Sequence, residues 1–375
     1  MSAEGSPLHV TWEHVLAWRM ERHSLLRRAP TSDVTRLASR LCGLHAQLRS
    51  SAELSLWARV EGLGPGALDR ALWERRMLVK TWAMRGTLHL LPSAELGLWF
   101  AALGTHTGYG NRWAAMDVLA EVVAESLAGR LLTREELAQA VEQQTGSRQF
   151  GEWIRSSWGS YLKALAFRGI VCFAPSAGGR VRFTTPKSWL GHESDPWEPM
   201  EALTEVTRRY LATYAPATVE DLARWWGVGP ARARRMLASL GDEVVQVWLD
   251  RTPCWVLRPD LEQLARATSP GVVRLLPAFD PWVANGSRNE PEALDPRYKK
   301  RVFRSQGWIS PVVLVDGRIA GVWAPACRGR LLQVQIELFE ELPVWAREQL
   351  QAEAERLARY VECRLDLRTA RLGHS

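Results

Sequence analysis

His45 and Gln47, in the run Gly43-Leu44-His45-Ala46-Gln47, are the side chains here whose types and spacing suit work on a water molecule. A neutral imidazole accepts a proton through one ring nitrogen. An amide oxygen holds and orients a water but is no base. In a continuous helix, a two-residue spacing puts the two side chains about 200° apart, on opposite faces. They share a site only if the helix ends near Leu44 and the chain then runs extended or irregular. The residues alone favour the plainer reading, in which the helix continues. His45, four residues after Leu41, is then an ordinary partly buried histidine on the apolar stripe.

Other chemistries lack a constellation. Cys42, Cys172, Cys254, Cys327 and Cys363 are scattered, and no CxxC or HExxH spacing occurs. Neither a structural zinc nor a disulfide framework is expected, and no metal or cofactor is implied. An amine nucleophile would have to be Lys80 or Lys163, and neither sits in a motif.

The elements that position the pair repeat along the chain. Residues 33–44 have helical apolar spacing, and a second helix is expected near 65–76. Leu78 to Leu91 reads as a hairpin turning at Arg85-Gly86. Thr133-Arg-Glu-Glu136 is a capping box opening a helix. Another helix is expected over 152–168, then a hairpin from Ile170 to Phe183. Thr218-Val-Glu-Asp221 caps a third helix, Pro230 opens the next, and Val244 to Leu257 makes a hairpin around Asp250-Arg251. This is the outline of three tandem winged-helix units. Beyond about 270 the pattern turns strand-rich, with Asp316-Gly317 as a hairpin turn and an amphipathic helix over 345–361. The expectation is an α+β protein: units at 1–108, 109–198 and 199–268, then a small C-terminal β-barrel domain with a terminal helix at 269–375.

Size and composition agree. The 375 residues are 46% hydrophobic and 24% charged, enough for real cores and against wholesale disorder. No apolar stretch approaches the roughly 20 residues of a membrane helix. The N-terminus has no basic-then-apolar leader, so a cytoplasmic, nucleoid-associated protein without a membrane partner is expected.

The formal charge is +7, and only five of the 48 basic residues are lysines. A GC-rich genome explains that bias better than function does. Placement is more informative. Arg232, Arg234 and Arg235 fall on a candidate recognition helix, Arg180 and Arg182 on a wing, and Lys299, Lys300 and Arg301 in a loop. Each alone reads as a solvated face; together, on helix-turn-helix scaffolds, they make nucleic acid the leading partner. Most of the 19 tryptophans sit in apolar helical contexts, and Trp57, Trp82 and Trp225 are expected to pack the scaffold.

Several short blocks carry a family resemblance. They are Leu44-His45-Ala46-Gln47, Ser55-Leu56-Trp57-Ala58-Arg59, Thr81 to His89, Leu275 to Asp280, and Val313 to Arg318. In this order, across about 44 to 323, the chain resembles AlkZ/AlkX-type DNA glycosylases. The resemblance implies three winged-helix units, a β-barrel, and hydrolysis of the N-glycosidic bond of alkylated bases, interstrand crosslinks included. The family motif is a glutamine, an apolar residue, then glutamine or aspartate. Here His45 departs from the first position and Gln47 matches the second. That is similar to a His-apolar-Gln branch associated with self-resistance of antibiotic producers to alkylating natural products. Bulky intercalators of the pluramycin or trioxacarcin type are the implied toxins.

The expectation is a monofunctional glycosylase for bulky alkylguanine adducts, with His45 and Gln47 catalytic and no cofactor. Its partner is double-stranded DNA carrying alkylated guanine, bound by a monomer. Arg85, His89, Arg180, Arg232, Arg235, Lys299, Lys300 and Arg318 are the expected DNA-binding residues. His89 packing within its hairpin, and Arg318 on a plain surface turn, are the structural alternatives. A winged-helix DNA-binding protein without catalysis, such as a regulator or toxin-sequestering factor, is the alternative function.

Overall fold

The computed structural model describes residues 9–106, 114–156, 159–286, 288 and 290–372. It is a mixed α+β structure whose chain divides into two compact units. One combines residues 1–67 with 208–375; the other is 68–207. The expected boundary between 108 and 109 falls outside the described residues.

In the first unit, Thr11 caps the helix Trp12–Arg22 by accepting from the His14 amide at 3.3 Å. Thr218 and Asp221 form the expected capping box ahead of the helix Val219–Trp226. Gly227, at φ 79°, ends that helix, and Pro230 opens Pro230–Ala238. A left-handed residue followed by a proline start makes a tight helix-turn-helix. Its hairpin is Val244–Leu249 with Thr252–Leu257, turning at Asp250 (φ 53°). The short strand His9–Val10 lies parallel to Val244–Leu249 and completes a three-stranded sheet.

The C-terminal strands Val273–Leu276, Val312–Val315, Arg318–Arg328, Leu331–Leu338 and Arg364–Arg371 form one sheet in that order. The first and last of these strands are its edges, so the described strands form no closed barrel. The last strand was not expected. The helix Val344–Tyr360 carries the chain over so that Arg364–Arg371 runs parallel to Leu331–Leu338. A parallel partner needs such a crossover.

In the second unit, Leu78–Trp82 and Leu88–Pro92 form the expected hairpin, with Arg85 (φ 58°) and Gly86 in its turn. The Thr133–Glu136 capping box opens Arg134–Thr145. The helix expected over 152–168 is two helices, Arg148–Arg155 and Ser160–Phe167. Gly159, left-handed at φ 62°, precedes the second. Cys172–Ala177 and Arg180–Thr184 pair as a hairpin, with Leu132–Thr133 as a third strand. Trp82 packs on Phe173 and Phe183, with ring centroids 4.7 and 5.9 Å away. Trp57 and Trp225 in the first unit are each 1% exposed, so all three indoles serve packing. No helix among the described residues is long and apolar enough to cross a membrane.

Candidate active site

The segment carrying His45 is shaped by how the preceding helix ends. That helix is Val34–Arg40, not a helix running through Leu44. Cys42 (φ 58°) and Gly43 (φ 93°) take left-handed conformations that break the helical path. The carbonyls a further turn would have used are satisfied from elsewhere. Thr213 Oγ1 donates to Arg40 O at 2.5 Å, and the Tyr214 hydroxyl donates to Leu41 O at 2.9 Å. The chain then runs as the short strand Leu44–His45 and stays non-helical until the helix Arg49–Arg59 begins. The opposed helical faces of the plainer reading therefore do not apply. His45 is 6% exposed, whereas Gln47 lies at the surface.

Behind this segment sits a buried charge cluster. Arg59 donates to both carboxylate oxygens of Asp280 at 2.7 Å. Ser55 Oγ donates to the same carboxylate at 3.0 Å, and Asp280 also caps the helix Pro281–Asn285 through the Trp282 amide at 2.9 Å. Two family-like blocks, remote in sequence, thus meet through one ion pair. A charged residue inside each apolar block is the signal for that pair, though partner identity needs the fold.

A second imidazole escaped the sequence reading. His23 is 1% exposed, edge-on to Tyr214 at 5.0 Å and to Trp282 at 5.1 Å. Burial, reinforced by Arg59, Arg19 and Arg40, holds its pKa well below the usual histidine value. Asn285 Nδ2 donates to the Tyr214 hydroxyl at 3.0 Å, so the residue that takes up Leu41 O beyond the helix Val34–Arg40 is itself held in a polar chain. Among the described residues, no group of three or more His, Cys, Asp or Glu side chains could hold a metal ion.

A family model for AlkZ-like DNA glycosylases matches residues 38–360. The chain belongs to this family. This AlkZ-like protein is 36% identical over 330 residues to an interstrand DNA cross-link repair glycosylase of Streptomyces sahachiroi, covering 84% of this chain and 88% of that one. The solved structure of the Streptomyces sahachiroi DNA glycosylase AlkZ superposes with a TM-score of 0.86 at 34% identity. That match covers 97% of this chain and 100% of the other. The AlkZ-like chain is therefore a DNA N-glycosylase, and its substrate is DNA.

The DNA-binding residues expected of the AlkZ-like protein are spread over both units. In the first, Arg235 is exposed and Arg232 half-buried on Pro230–Ala238, whose other face buries Ala233, Met236 and Leu237. Lys300 is exposed and Lys299 half-buried on the short helix Lys299–Val302. Arg318 is exposed, its guanidinium donating to Glu292 O at 2.7 Å. The turn before it is tucked in: Asp316 accepts from the Val272 amide at 2.7 Å, and Gly317 is buried against Leu16.

In the second unit, Arg180 is exposed beside the Gly178-Gly179 turn, and Arg85 is half-buried at its left-handed turn. His89 is 2% exposed. Its Nδ1 lies 3.0 Å from Thr87 O, and since a carbonyl only accepts, Nδ1 carries the proton. Burial lowers its pKa to about 3, outweighing the Thr87 hydrogen bond, so the ring is neutral. In this placement His89 packs within its hairpin.

Proposed function

We propose that this protein is a monofunctional glycosylase for bulky alkylguanine adducts left in DNA by an alkylating natural product, and that it gives its producer self-resistance. The reading includes three winged-helix units ahead of a barrel-like C-terminal domain, a His-apolar-Gln motif branch, and a monomer working in the cytoplasm on the nucleoid. Unhooking of interstrand crosslinks belongs to it as well, by analogy with the relative named for that repair.

The observation that carries the reading is the break after Arg40. The left-handed Cys42 and Gly43 leave His45 and Gln47 in non-helical chain, the condition for two residues spaced by two to serve one site.

The chemistry follows from the leaving group. Alkylation at the major-groove ring nitrogen of guanine makes the base cationic and ready to depart, so no strong general acid is needed. As the N-glycosidic bond breaks, its electron pair stays with the base and the sugar gains oxocarbenium character. Water adds to C1′, and His45 takes the proton it releases. The Gln47 amide oxygen holds that water, and its dipole favours the sugar cation. Arg85, Arg180, Arg232, Arg235, Lys299, Lys300 and Arg318 are assigned to DNA contacts in this reading, while the buried, neutral His89 is left to its hairpin. The absence of a motif lysine argues for hydrolysis over a lyase step, so borohydride should trap no protein–DNA adduct.

The test is incubation with drug-modified duplex, then heating in alkali. Strand breaks at abasic sites and a released alkylguanine are expected. Binding without breaks overturns the reading, and activity confined to methylated DNA narrows the enzyme to small lesions.

A further inference from the structure

Phe279 lies at φ 57° in the left-handed region, where a bulky side chain is disfavoured and persists only if its surroundings hold it there. Those surroundings are evident. The next residue, Asp280, is fixed by Arg59 and Ser55 of the helix that begins two residues after Gln47. The strained backbone presents the half-buried Phe279 ring to Trp308, edge to face, with centroids 5.1 Å apart and planes at 74°.

Trp308 is 41% exposed, while Trp18, Trp57, Trp99, Trp225 and Trp226 are almost fully buried. It ends a loop closed by the Arg304 amide donating to Trp308 O at 2.8 Å, and residues 304–308 are all exposed. Other exposed indoles lack this setting; Trp345, for instance, lies against Gly271.

The surrounding charge is positive. Lys299, Lys300, Arg301 and Arg304 precede Trp308 within ten residues, and Arg288 sits over the Phe303 ring at 4.8 Å. Glu337 offsets one of these cations, through Arg301 at 3.6 Å. An exposed indole backed by a half-buried phenyl ring, among cations, offers a π-face for stacking and charges for phosphate, the combination used on unpaired or distorted nucleic acid.

We infer that Phe279 and Trp308 form a stacking platform of the damaged-DNA site, taking the planar aromatic face that adducted DNA presents. The inference rests on the function proposed above and adds how the lesion is gripped. The face is either the modified base or an aromatic group carried by the adduct, and the two sources can be separated by experiment.

The full-length protein and its Trp308→Leu and Trp308→Phe variants should be titrated against three duplexes. One is undamaged, one carries methylguanine, and one carries a polycyclic aromatic guanine adduct. Trp308→Leu should weaken binding of adducted DNA about tenfold, and Trp308→Phe should recover most of that loss. Undamaged DNA should shift by less than about twofold. Loss on both damaged duplexes assigns the platform to the base, and loss on the aromatic adduct alone assigns it to the adduct. The inference is overturned if Trp308→Leu binds adducted DNA like the parent, if damaged and undamaged DNA weaken alike, or if phenylalanine does no better than leucine. Base release by the parent protein, measured on the same duplexes, reports separately on the proposed function. A protein that discriminates through Trp308 yet releases nothing would overturn the function and leave the platform standing.

Discussion

Arg59 grips Asp280 through two 2.7 Å hydrogen bonds, and neither side chain is exposed to solvent. A pair this deep is costly to break from one side, because the remaining charge stays buried without its counter-ion. Arg59→Met should destabilise the protein by about 3–5 kcal/mol, read from the midpoint of urea unfolding. Asp280→Asn should cost a comparable amount, since it leaves the guanidinium uncompensated and turns one of its two acceptor oxygens into a donor.

The motif should separate chemistry from binding. His45→Ala is expected to slow single-turnover release of an alkylguanine by about 10²–10⁴-fold, the usual range for a general base. Gln47→Ala should slow release less, because an amide orients water and moves no proton. Both variants should bind adducted duplex within a few-fold of the parent. Unchanged release by the double variant would end the assignment.

Acid should destabilise the fold through its buried imidazoles. His23 is held well below the ordinary histidine pKa and His89 at about 3, while both titrate near 6.5 once unfolded. Above about 6.5 both states are neutral and the stability is fully present. As the pH falls from there towards about 3, the unfolded chain binds protons that the folded chain refuses, so stability drops. His89 contributes over the whole of that window, and His23 acts in the same direction. His23→Phe keeps an aromatic ring against Tyr214 and Trp282, and should flatten the pH dependence of unfolding below about 6.5. An unchanged slope would count against this account.

Electrostatic contacts should show in salt. If the exposed Arg235 meets a phosphate, Arg235→Ala weakens binding to all duplexes alike and reduces the slope of log affinity against log salt by about 1. An unaltered slope would remove Arg235 from the interface.

The Asp316-Gly317 turn should tolerate no side chain at its second position. Gly317 has φ +83°, and a Cβ there would lie 2.8 Å from Leu16 Cβ. Gly317→Ala should therefore cost about 1–3 kcal/mol in urea unfolding.

What could be read from the chain alone was mostly local. The Thr133–Glu136 and Thr218–Asp221 boxes and the turns at Arg85-Gly86 and Asp250-Arg251 are set by neighbouring residues, and they stand where expected. The end of the first motif helix was not legible, because its carbonyls are satisfied by Thr213 and Tyr214, over 170 residues further on. The strand Arg364–Arg371 reads as a polar tail; what makes it a strand is its backbone pairing with Leu331–Leu338. At the candidate site, His45 and Gln47 stand out by type and spacing. Their setting was not legible, since Arg59 with Asp280, and His23 with Tyr214, are paired only by the fold.

The discontinuous unit has a consequence for how the enzyme is made. Residues 1–67 belong with 208–375, and their anchors, Tyr214, the Val244–Leu249 strand and Asp280, are all translated much later. At about 5–20 residues per second, Gln47 leaves the ribosome roughly ten seconds to a minute before its last anchor does. For most of that interval, until Thr213 and Tyr214 emerge, the segment around His45 lacks the contacts that end its helix at Arg40. A nascent chain stalled before residue 280 therefore holds His45 and Gln47 without the Asp280 that anchors the following helix, and the scaffold of the candidate site is complete only in the nearly finished protein.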